Sequence, residues 1–327
     1  MQRLRPTIGA IFRSPWVRLV GTVLGIGIVL HSINVGDALH GLMTANVRWV
    51  TVGVLLTGVT VLASVAEWGF LIRAGGTRLR WRSLASWYIQ GLFVGQVLPA
   101  AIGGDAMRAV ELGKVTGPGH ALASLAGSRM AGALGMAGWG LAGAVLLRSS
   151  VGAVGLVGAG AFLVGIVLAW LAALNANGAV AWLSQGASGL RRTMIRGLMP
   201  FTGAFKMYRS QPHALVKSVV VGSAGWGINL AALAVFARAV GIDEGWTIFA
   251  VAIPISLVAT LSPFSINGIG VREGLLVGLL SHAGVALAKA AAFAIFVDIQ
   301  MIPFALLGGV VWLLRSRAVS ARPVPSP

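Results

Sequence analysis

The sequence predicts an all-α integral membrane protein in which six spanning helices and two re-entrant helical hairpins, about eight hydrophobic segments, form an inverted-topology repeat. Three observations support this prediction: the apolar composition, the placement of basic residues in short loops, and a motif that occurs twice. Of the 327 residues, 57% are hydrophobic and 10% are charged, and the mean hydropathy is +0.88. A soluble core of this length could not bury so much apolar surface, so a bilayer is needed to cover it.

The formal net charge of +17 is divided among short loops between apolar segments. Basic residues cluster near the N-terminus, at 73–82, at 191–217 and near the C-terminus. This pattern follows the positive-inside rule and predicts that these loops and both termini lie on the cytoplasmic side of the cell membrane. It does not form the contiguous patch that binds nucleic acid. The chain has no cysteine, which excludes disulfides and thiolate metal sites.

The positions of these loops predict the direction of each apolar segment in a single polytopic domain of residues 1–327. Two of the apolar segments, at about 84–113 and 247–283, must each begin and end on the same side of the membrane, so each is predicted to be a re-entrant hairpin. Residues 175–213 predict an amphipathic cytoplasmic linker on an anionic leaflet, and 318–327 a disordered tail. The spans are expected at about 17–35, 48–72, 119–147, 151–174, 215–238 and 286–314, and the hairpins at about 84–113 and 247–283.

The stretch LPAAIGGDAMR at 98–108 has a counterpart 164 residues later, because P-x-x-I-x-G-x-x-x-R occurs at both 99–108 and 263–272. Upstream, at an offset of 165, R-A-x-G-x-x-x-x-W also occurs twice. Two matches in the same order predict a repeat, with copies at about 16–148 and 151–315. The first loop is basic (TRLRWR) and the second acidic (IDEGW), so the copies are expected to have opposite orientations.

The repeated motif predicts an anion site at each hairpin tip. Pro99 and Pro263 remove amide donors and are expected to break their helices. The next half-helix then begins inside the membrane, where its free amides and dipole favour an anion. Inverted repeats with broken helices are a recurring plan of transporters. The predicted headgroup-binding residues are Gly104, Asp105, Arg108, Glu111, Arg129, Asn267, Gly268, Arg272 and Glu273.

Structural roles for the same residues remain open. Asp105 can be an N-cap with Arg108 paired to Glu111, and Arg272 can be satisfied by Glu273 or backbone carbonyls. Arg129 and Asp298 lie in equivalent helices and are predicted to pair, either as a static contact or as a mobile gate.

Other polar and small residues are given structural roles. Glu67 and the histidines show no metal-ligand spacing, so they are predicted to be structural or interfacial, and no metal or cofactor is expected. The glycine-rich region 117–165 predicts close helix packing.

At these motifs the chain resembles the membrane domain of lysylphosphatidylglycerol synthase and the flippase-like family built on it. The family's motif LPGxxGGDxxR is similar to "LPAAIGGDAMR". Its serine-rich helix with an acidic–Arg pair is similar to "ALASLAGSRMAGALG", and its later motif P-x-x-x-x-G-x-G-x-R-E is similar to "SPFSINGIGVREG". Two positions depart from that pattern. Ser128 stands where an acid usually precedes Arg129, and Asp298 where relatives often carry arginine.

The resemblance implies translocation of a lipid between leaflets, with aminoacylated phospholipids, hopanoids and isoprenoid-linked sugars as cargo classes. It also implies a stand-alone member, since a short tail takes the place of the aminoacyl-transfer domain. We therefore expect a lipid flippase without enzymatic activity. The alternatives are a membrane-embedded lipid-linked transferase and a non-catalytic membrane subunit of a lipid-modifying enzyme. Expected partners are membrane lipids, the anionic leaflet surface, and a second copy or a lipid-synthesis enzyme.

Overall fold

The structure is a computed structural model that describes residues 41–97, 103–184, 208–209, 211–258 and 270–320. Regular structure in these ranges is helical throughout. The helices are α1 (Val47–Ala74), α2 (Trp81–Val97), α3 (Gly103–Thr116), α4 (Pro118–Leu146), α5 (Arg148–Ser184), α6 (Pro212–Ala239), α7 (Trp246–Val258), α8 (Val271–His282), α9 (Leu287–Ile299) and α10 (Ile302–Ser320).

Four segments in the described ranges are long and apolar enough to cross a bilayer, as expected of a multi-pass membrane protein. They agree with four of the six predicted spans. The predicted span 119–147 coincides with α4, which has 29 residues but is not among the four. The predicted span 17–35 lies outside the described residues. The four segments are Val47–Ala74, Gly152–Asn175, Pro212–Ala239 and Leu287–Leu314.

Two helices continue beyond their predicted ends. Helix α5 reaches Ser184, ten residues past the predicted end at 174, and occupies the first part of the predicted linker. No proline interrupts this stretch, and its alanines and leucine favour a helix. Helix α10 likewise extends to Ser320, into the segment predicted to be a disordered tail. The rest of that tail, and most of the linker, lie outside the described residues.

Two pairs of short helices occupy the places of the predicted hairpins. Helix α2 packs against α3, and α7 against α8. Helices α3, α7 and α8 have 14, 13 and 12 residues, so each is about 18–21 Å long at 1.5 Å per residue. None of the three could cross a hydrocarbon core of about 30 Å. The connecting residues 98–102 and 259–269, with Pro99, Pro263, Asn267 and Gly268, lie outside the described residues.

The offset between the two sequence motifs extends to the helix boundaries. Helices α1 and α6 both have 28 residues. The first residue of α6 lies 165 positions after the first residue of α1, and the last residues are separated by the same number. Helices α2 and α7 begin at the matching residues Trp81 and Trp246. The turns before them contain Gly76 and Gly241, with φ of 81° and 73°, a region that favours glycine. The repeat therefore covers helix lengths and turns as well as motifs.

The chain forms two compact units whose boundaries fall inside α1, α4, α5 and α6 and between α9 and α10. The Arg108 unit contains residues 58–139, 154–228 and 301–327, and the Arg272 unit contains residues up to 57, 140–153 and 229–300. Each is named here after the arginine of the repeated motif that it contains.

Small residues bring the helices of the Arg108 unit close together. A Cβ atom added to Gly225 would lie 3.2 Å from the Cβ of Ala63, and one added to Gly135 would lie 2.8 Å from the Cα of Ser223. Trp139 Nε1 donates to the Ser223 carbonyl at 2.8 Å. Helices α1, α4 and α6 are therefore in backbone-level contact.

The prediction of close packing at glycines holds for Gly127, Gly135 and Gly143 of α4, but not for Gly138 of α4 or for three glycines of α5. A Cβ added to Gly158, Gly160 or Gly165 would have no other atom within 4 Å. These α5 glycines leave open surface in the Arg108 unit.

The Arg272 unit is packed through aromatic side chains. Phe249 and Phe293 have ring centroids 4.9 Å apart, and the rings of Phe236 and Phe296 stack at 5.3 Å. Such ring pairs add to the free energy gained by burial. They hold α9 against α6 and α7.

We predict that Gly308→Ala destabilises the protein by about 1–3 kcal/mol, because the added methyl would overlap the carbonyl oxygen of Ile89, where α10 packs on α2. The matched control is Gly158→Ala, which meets no neighbour and should leave stability unchanged or raise it by up to about 1 kcal/mol. Apparent melting temperatures in detergent measure both effects. Equal melting temperatures for the two variants would contradict this packing.

Candidate functional site

A carboxylate at the start of α3 bridges two guanidinium groups in the Arg108 unit. Helix α3 begins at Gly103, which places Asp105 in its first turn and Arg108 one turn later. Arg108 Nη2 donates to Asp105 Oδ1, and Arg129 Nε of α4 donates to Asp105 Oδ2 at 2.9 Å. We call Asp105, Arg108 and Arg129 the donor-rich cluster, because two guanidinium groups share one carboxylate.

Aromatic rings and a close helix contact hold Arg108 in position. Its guanidinium carbon lies 4.7 Å from the centroid of the Tyr88 ring and 5.4 Å from that of Trp68. The side chain is 12% exposed. A Cβ added to Gly91 would lie 3.1 Å from Arg108 Cγ and 2.9 Å from the Gly104 carbonyl oxygen. The missing side chains of Gly91 and Gly104 therefore let α2 and α3 approach closely enough to enclose the arginine.

Arg129 is the open end of the donor-rich cluster. Its side chain is 65% exposed, whereas that of Asp105 is 21% exposed. A guanidinium group has five N–H donors, and Nε accounts for the hydrogen bond to Asp105. An anion that reaches this end could therefore bind the rest of the guanidinium without first breaking the bridge.

A buried acid lies beside the donor-rich cluster. Glu67 of α1 is 5% exposed, accepts a hydrogen bond from Ser128, and is close enough to Arg108 and Arg129 to interact with both electrostatically. From the sequence, Glu67 is predicted to be structural or interfacial. Its position inside the 28-residue apolar helix α1 was the signal that could have marked it, since carboxylates are rare in such helices.

The matching arginine of the Arg272 unit has the opposite surroundings. Arg272 Nε donates to Glu273 Oε1 at 3.0 Å, and Arg272 Nη2 donates to Asp298 Oδ1 of α9. Glu273 also accepts the backbone N–H of Gly270, the residue before α8. We call Arg272, Glu273 and Asp298 the acceptor-rich cluster, because two carboxylates share one guanidinium group.

The structure replaces the predicted pairing of Arg129 with Asp298 by two other pairs. Arg129 donates to Asp105, and Asp298 accepts from Arg272. Equivalent places in a repeat indicate similar local surroundings, and they do not specify contact. Helix α4 instead provides a partner for α3, and α9 provides one for α8, each within its own unit.

The alternative pairing of Arg108 with Glu111 is likewise replaced. Arg108 bonds to Asp105, and Lys114 Nζ bonds to Glu111 at 2.6 Å. Long side chains on a helix point towards its N-terminus, so each basic residue reaches the acid three positions before it. The alternative pairing of Arg272 with Glu273 is present, at 3.0 Å.

Of the other predicted site residues, Gly104 provides the close approach to α2. Pro99, Pro263, Asn267 and Gly268 lie outside the described residues, so their roles remain predictions. Within the described ranges no group of three or more histidine, aspartate or glutamate side chains is arranged to hold a metal ion.

We predict that Arg272 and Asp298 are energetically coupled. In a double-mutant cycle of Arg272→Gln and Asp298→Asn, the coupling should be about 1–3 kcal/mol. Arg272→Gln leaves the partly buried Asp298 without its guanidinium partner, and Asp298→Asn removes one of the two carboxylates bonded to Arg272. Glu111 and Lys114 form the comparison pair, at i,i+3 on one helix. Because Lys114 is exposed, the coupling free energy of this pair should be about 0.5 kcal/mol. Thermal unfolding of the four variants of each cycle measures the coupling. A value for Arg272 and Asp298 no larger than that of the comparison pair would contradict the contact.

The comparison with known proteins agrees with the motif resemblance. Residues 16–309 match the family model described as the lysylphosphatidylglycerol synthase TM region. A search of curated proteins finds no match. Because the family model covers nearly the whole chain, the protein belongs to the family of lysylphosphatidylglycerol synthase transmembrane regions.

Proposed function

We propose that this protein moves a lipid with an anionic, phosphate-bearing headgroup between the leaflets of the cell membrane. The observation that carries the proposal is the donor-rich cluster, where Arg108 and Arg129 share the single carboxylate of Asp105 at the start of a short helix. Arginine binds phosphate through two parallel hydrogen bonds, which makes phosphate a strong competitor for its donors. The start of α3 also favours an anion, because the first amides of a helix have no partner within the helix.

The sequence of events begins at Arg129, the exposed member of the cluster. A headgroup phosphate binds its outward N–H groups and then competes with Asp105 for Nε. Arg108 stays in place between Tyr88 and Trp68 and provides the second positive charge. The charge of the phosphate is thereby satisfied at a depth where an isolated anion would be costly.

The second repeat provides the exit in this proposal. We infer that α2 and α3 form a re-entrant hairpin from the cytoplasmic side, and α7 and α8 one from the opposite side. The short lengths of α3, α7 and α8 support this, as does the change from a basic loop before Trp81 to an acidic loop before Trp246. At the acceptor-rich cluster, carboxylates suit ammonium and hydroxyl groups of a headgroup.

The proposed inverted repeat predicts that equivalent loops label from opposite faces of the membrane. Single cysteines are introduced at Arg78 and Asp243, which are exposed and lie 165 positions apart in a chain without cysteine. In intact cells a membrane-impermeant maleimide should react at position 243 and not at 78. Both should react after permeabilisation. Reaction at both positions in intact cells would contradict the inversion.

We predict that Arg129→Ala slows lipid movement in proteoliposomes by about tenfold to a hundredfold, the effect of losing one charge-assisted hydrogen bond. The probe is fluorescently labelled phosphatidylglycerol, whose transfer between leaflets is followed by extraction with albumin. Arg129→Lys should recover part of the rate, because lysine restores the charge without the planar fork. Arg82→Ala, at an exposed arginine of the first loop, is the matched control and should behave as wild type.

Two outcomes would contradict different parts of the proposal. Wild-type rates for Arg129→Ala would show that the donor-rich cluster does not bind the headgroup. A wild-type protein that moves no phosphate-bearing lipid would contradict the function itself. Chemical change of the labelled lipid would instead favour the membrane-embedded transferase.

A further inference from the structure

Glu67 is a buried ionisable group that the headgroup contacts described above leave unused. It lies in α1 and is 5% exposed. Its Oε1 atom is buried and has no hydrogen-bond partner among the described residues. An ionised carboxylate in this position is costly, because one oxygen has lost its water and gained no donor. A proton on Oε1 would remove the charge and the cost together.

The surroundings of Glu67 form a built site. Ser128 of α4 donates to the carboxylate, and a Cβ added to Gly222 of α6 would lie 3.3 Å from both Cδ and Oε2. The missing side chain of Gly222 therefore lets the α6 backbone lie directly against the acid. One residue along, Trp68 Nε1 donates to Ser124 Oγ at 3.1 Å and fixes α1 against α4. These contacts hold the carboxylate in place.

In the part of the chain that the structure describes, the charged groups that face Glu67 are the two arginines of the donor-rich cluster. Arg108 approaches from α3 and Arg129 from α4, and both interact electrostatically with the carboxylate. Helix α6 presents the uncharged Gly222. One turn earlier it carries Ser218, whose buried Oγ also has no partner among the described residues. Glu67 therefore faces the same two cations that are proposed to bind the headgroup.

The charges of these four side chains link the proton to the phosphate. When Glu67 is ionised, the two acids Asp105 and Glu67 balance Arg108 and Arg129, and the group is neutral. When Glu67 is protonated, the group carries one net positive charge and is complementary to a phosphate. Protonation must then strengthen anion binding, and anion binding must strengthen protonation by the same factor.

We propose that Glu67 is a proton-binding site coupled to headgroup binding, so that one proton from solution adds to its carboxylate when an anionic lipid binds at Arg108 and Arg129. The proton leaves when the lipid departs, which makes H⁺ the coupling ion of transport. A pH difference across the membrane then favours binding of the anionic lipid on the more acidic side. This inference rests on the proposed function and specifies how that function is driven.

The direct test counts protons during binding of a soluble short-chain phosphatidylglycerol to the purified protein. Calorimetric titrations in buffers of different ionisation enthalpy should show the wild type taking up about one proton per lipid. The affinity of the wild-type protein for the lipid should fall by up to about tenfold for each unit by which the pH rises, because one linked proton can produce no larger change. Glu67→Gln, which is neutral and similar in shape, should bind without proton uptake and with an affinity that no longer changes with pH. Glu244→Gln, at an exposed acid between α6 and α7, is the control and should retain wild-type linkage.

A second measurement does not depend on the lipid. In infrared difference spectra recorded across a pH titration, the wild type and Glu244→Gln should show the carbonyl stretch of a buried protonated carboxylic acid. Glu67→Gln should lack it. An unchanged band in Glu67→Gln would overturn the assignment even if that variant bound lipid normally.

The outcomes separate the inference from the function on which it rests. Lipid binding by the wild type without proton uptake would overturn the role of Glu67 and leave the headgroup site standing. Proton uptake that persists in Glu67→Gln would place the proton elsewhere and overturn the inference. Failure of the wild-type protein to bind phosphatidylglycerol in either acidic or alkaline buffer would contradict the headgroup site, and the linkage with it.

Discussion

A charged side chain among apolar helices is stable when a partner of opposite charge lies within hydrogen-bonding distance, and this constraint shapes both halves of the chain. With 8 acidic and 25 basic residues in the protein, acids are scarce. Asp105 is shared by two arginines, whereas Glu273 and Asp298 are both bonded to Arg272. Two arginines that match in the repeat therefore have opposite electrostatic surroundings. In the proposed function, that difference makes one cluster suited to a phosphate and the other to cations and hydroxyl groups.

These charges can meet because glycine brings the helix backbones together. Gly91 and Gly104 let α2 and α3 close around Arg108, and Gly222 lets α6 lie against Glu67. A methyl group at Gly91 or Gly104 would push the α2 and α3 backbones apart, and one at Gly222 would press on the Glu67 carboxylate. Packing through small residues is common between membrane helices, where burial of apolar surface gives little driving force. In this protein the same packing also determines which ionisable groups share an environment.

Four of the six predicted spans and the family were predictable from sequence because apolar length and motif spacing are local properties. The four apolar segments that could cross a bilayer lie within a few residues of their predictions. The partner of each charge was not predictable in the same way. Whether Arg129 faces Asp105 or another acid depends on the rotation and lateral neighbours of α4, which motif spacing does not specify. Glu67 was assigned a structural role for the same reason, since its contacts come from three other helices.

The most direct test of the headgroup site is an experimental structure of the protein in nanodiscs that contain phosphatidylglycerol, determined by electron cryomicroscopy. The account predicts a phosphate within hydrogen-bonding distance of the Arg108 and Arg129 guanidinium groups, with Arg129 turned from Asp105 towards the lipid. Arg108 should remain between Tyr88 and Trp68. A lipid phosphate bound elsewhere, with the Asp105 bridge to both arginines unchanged, would contradict the account.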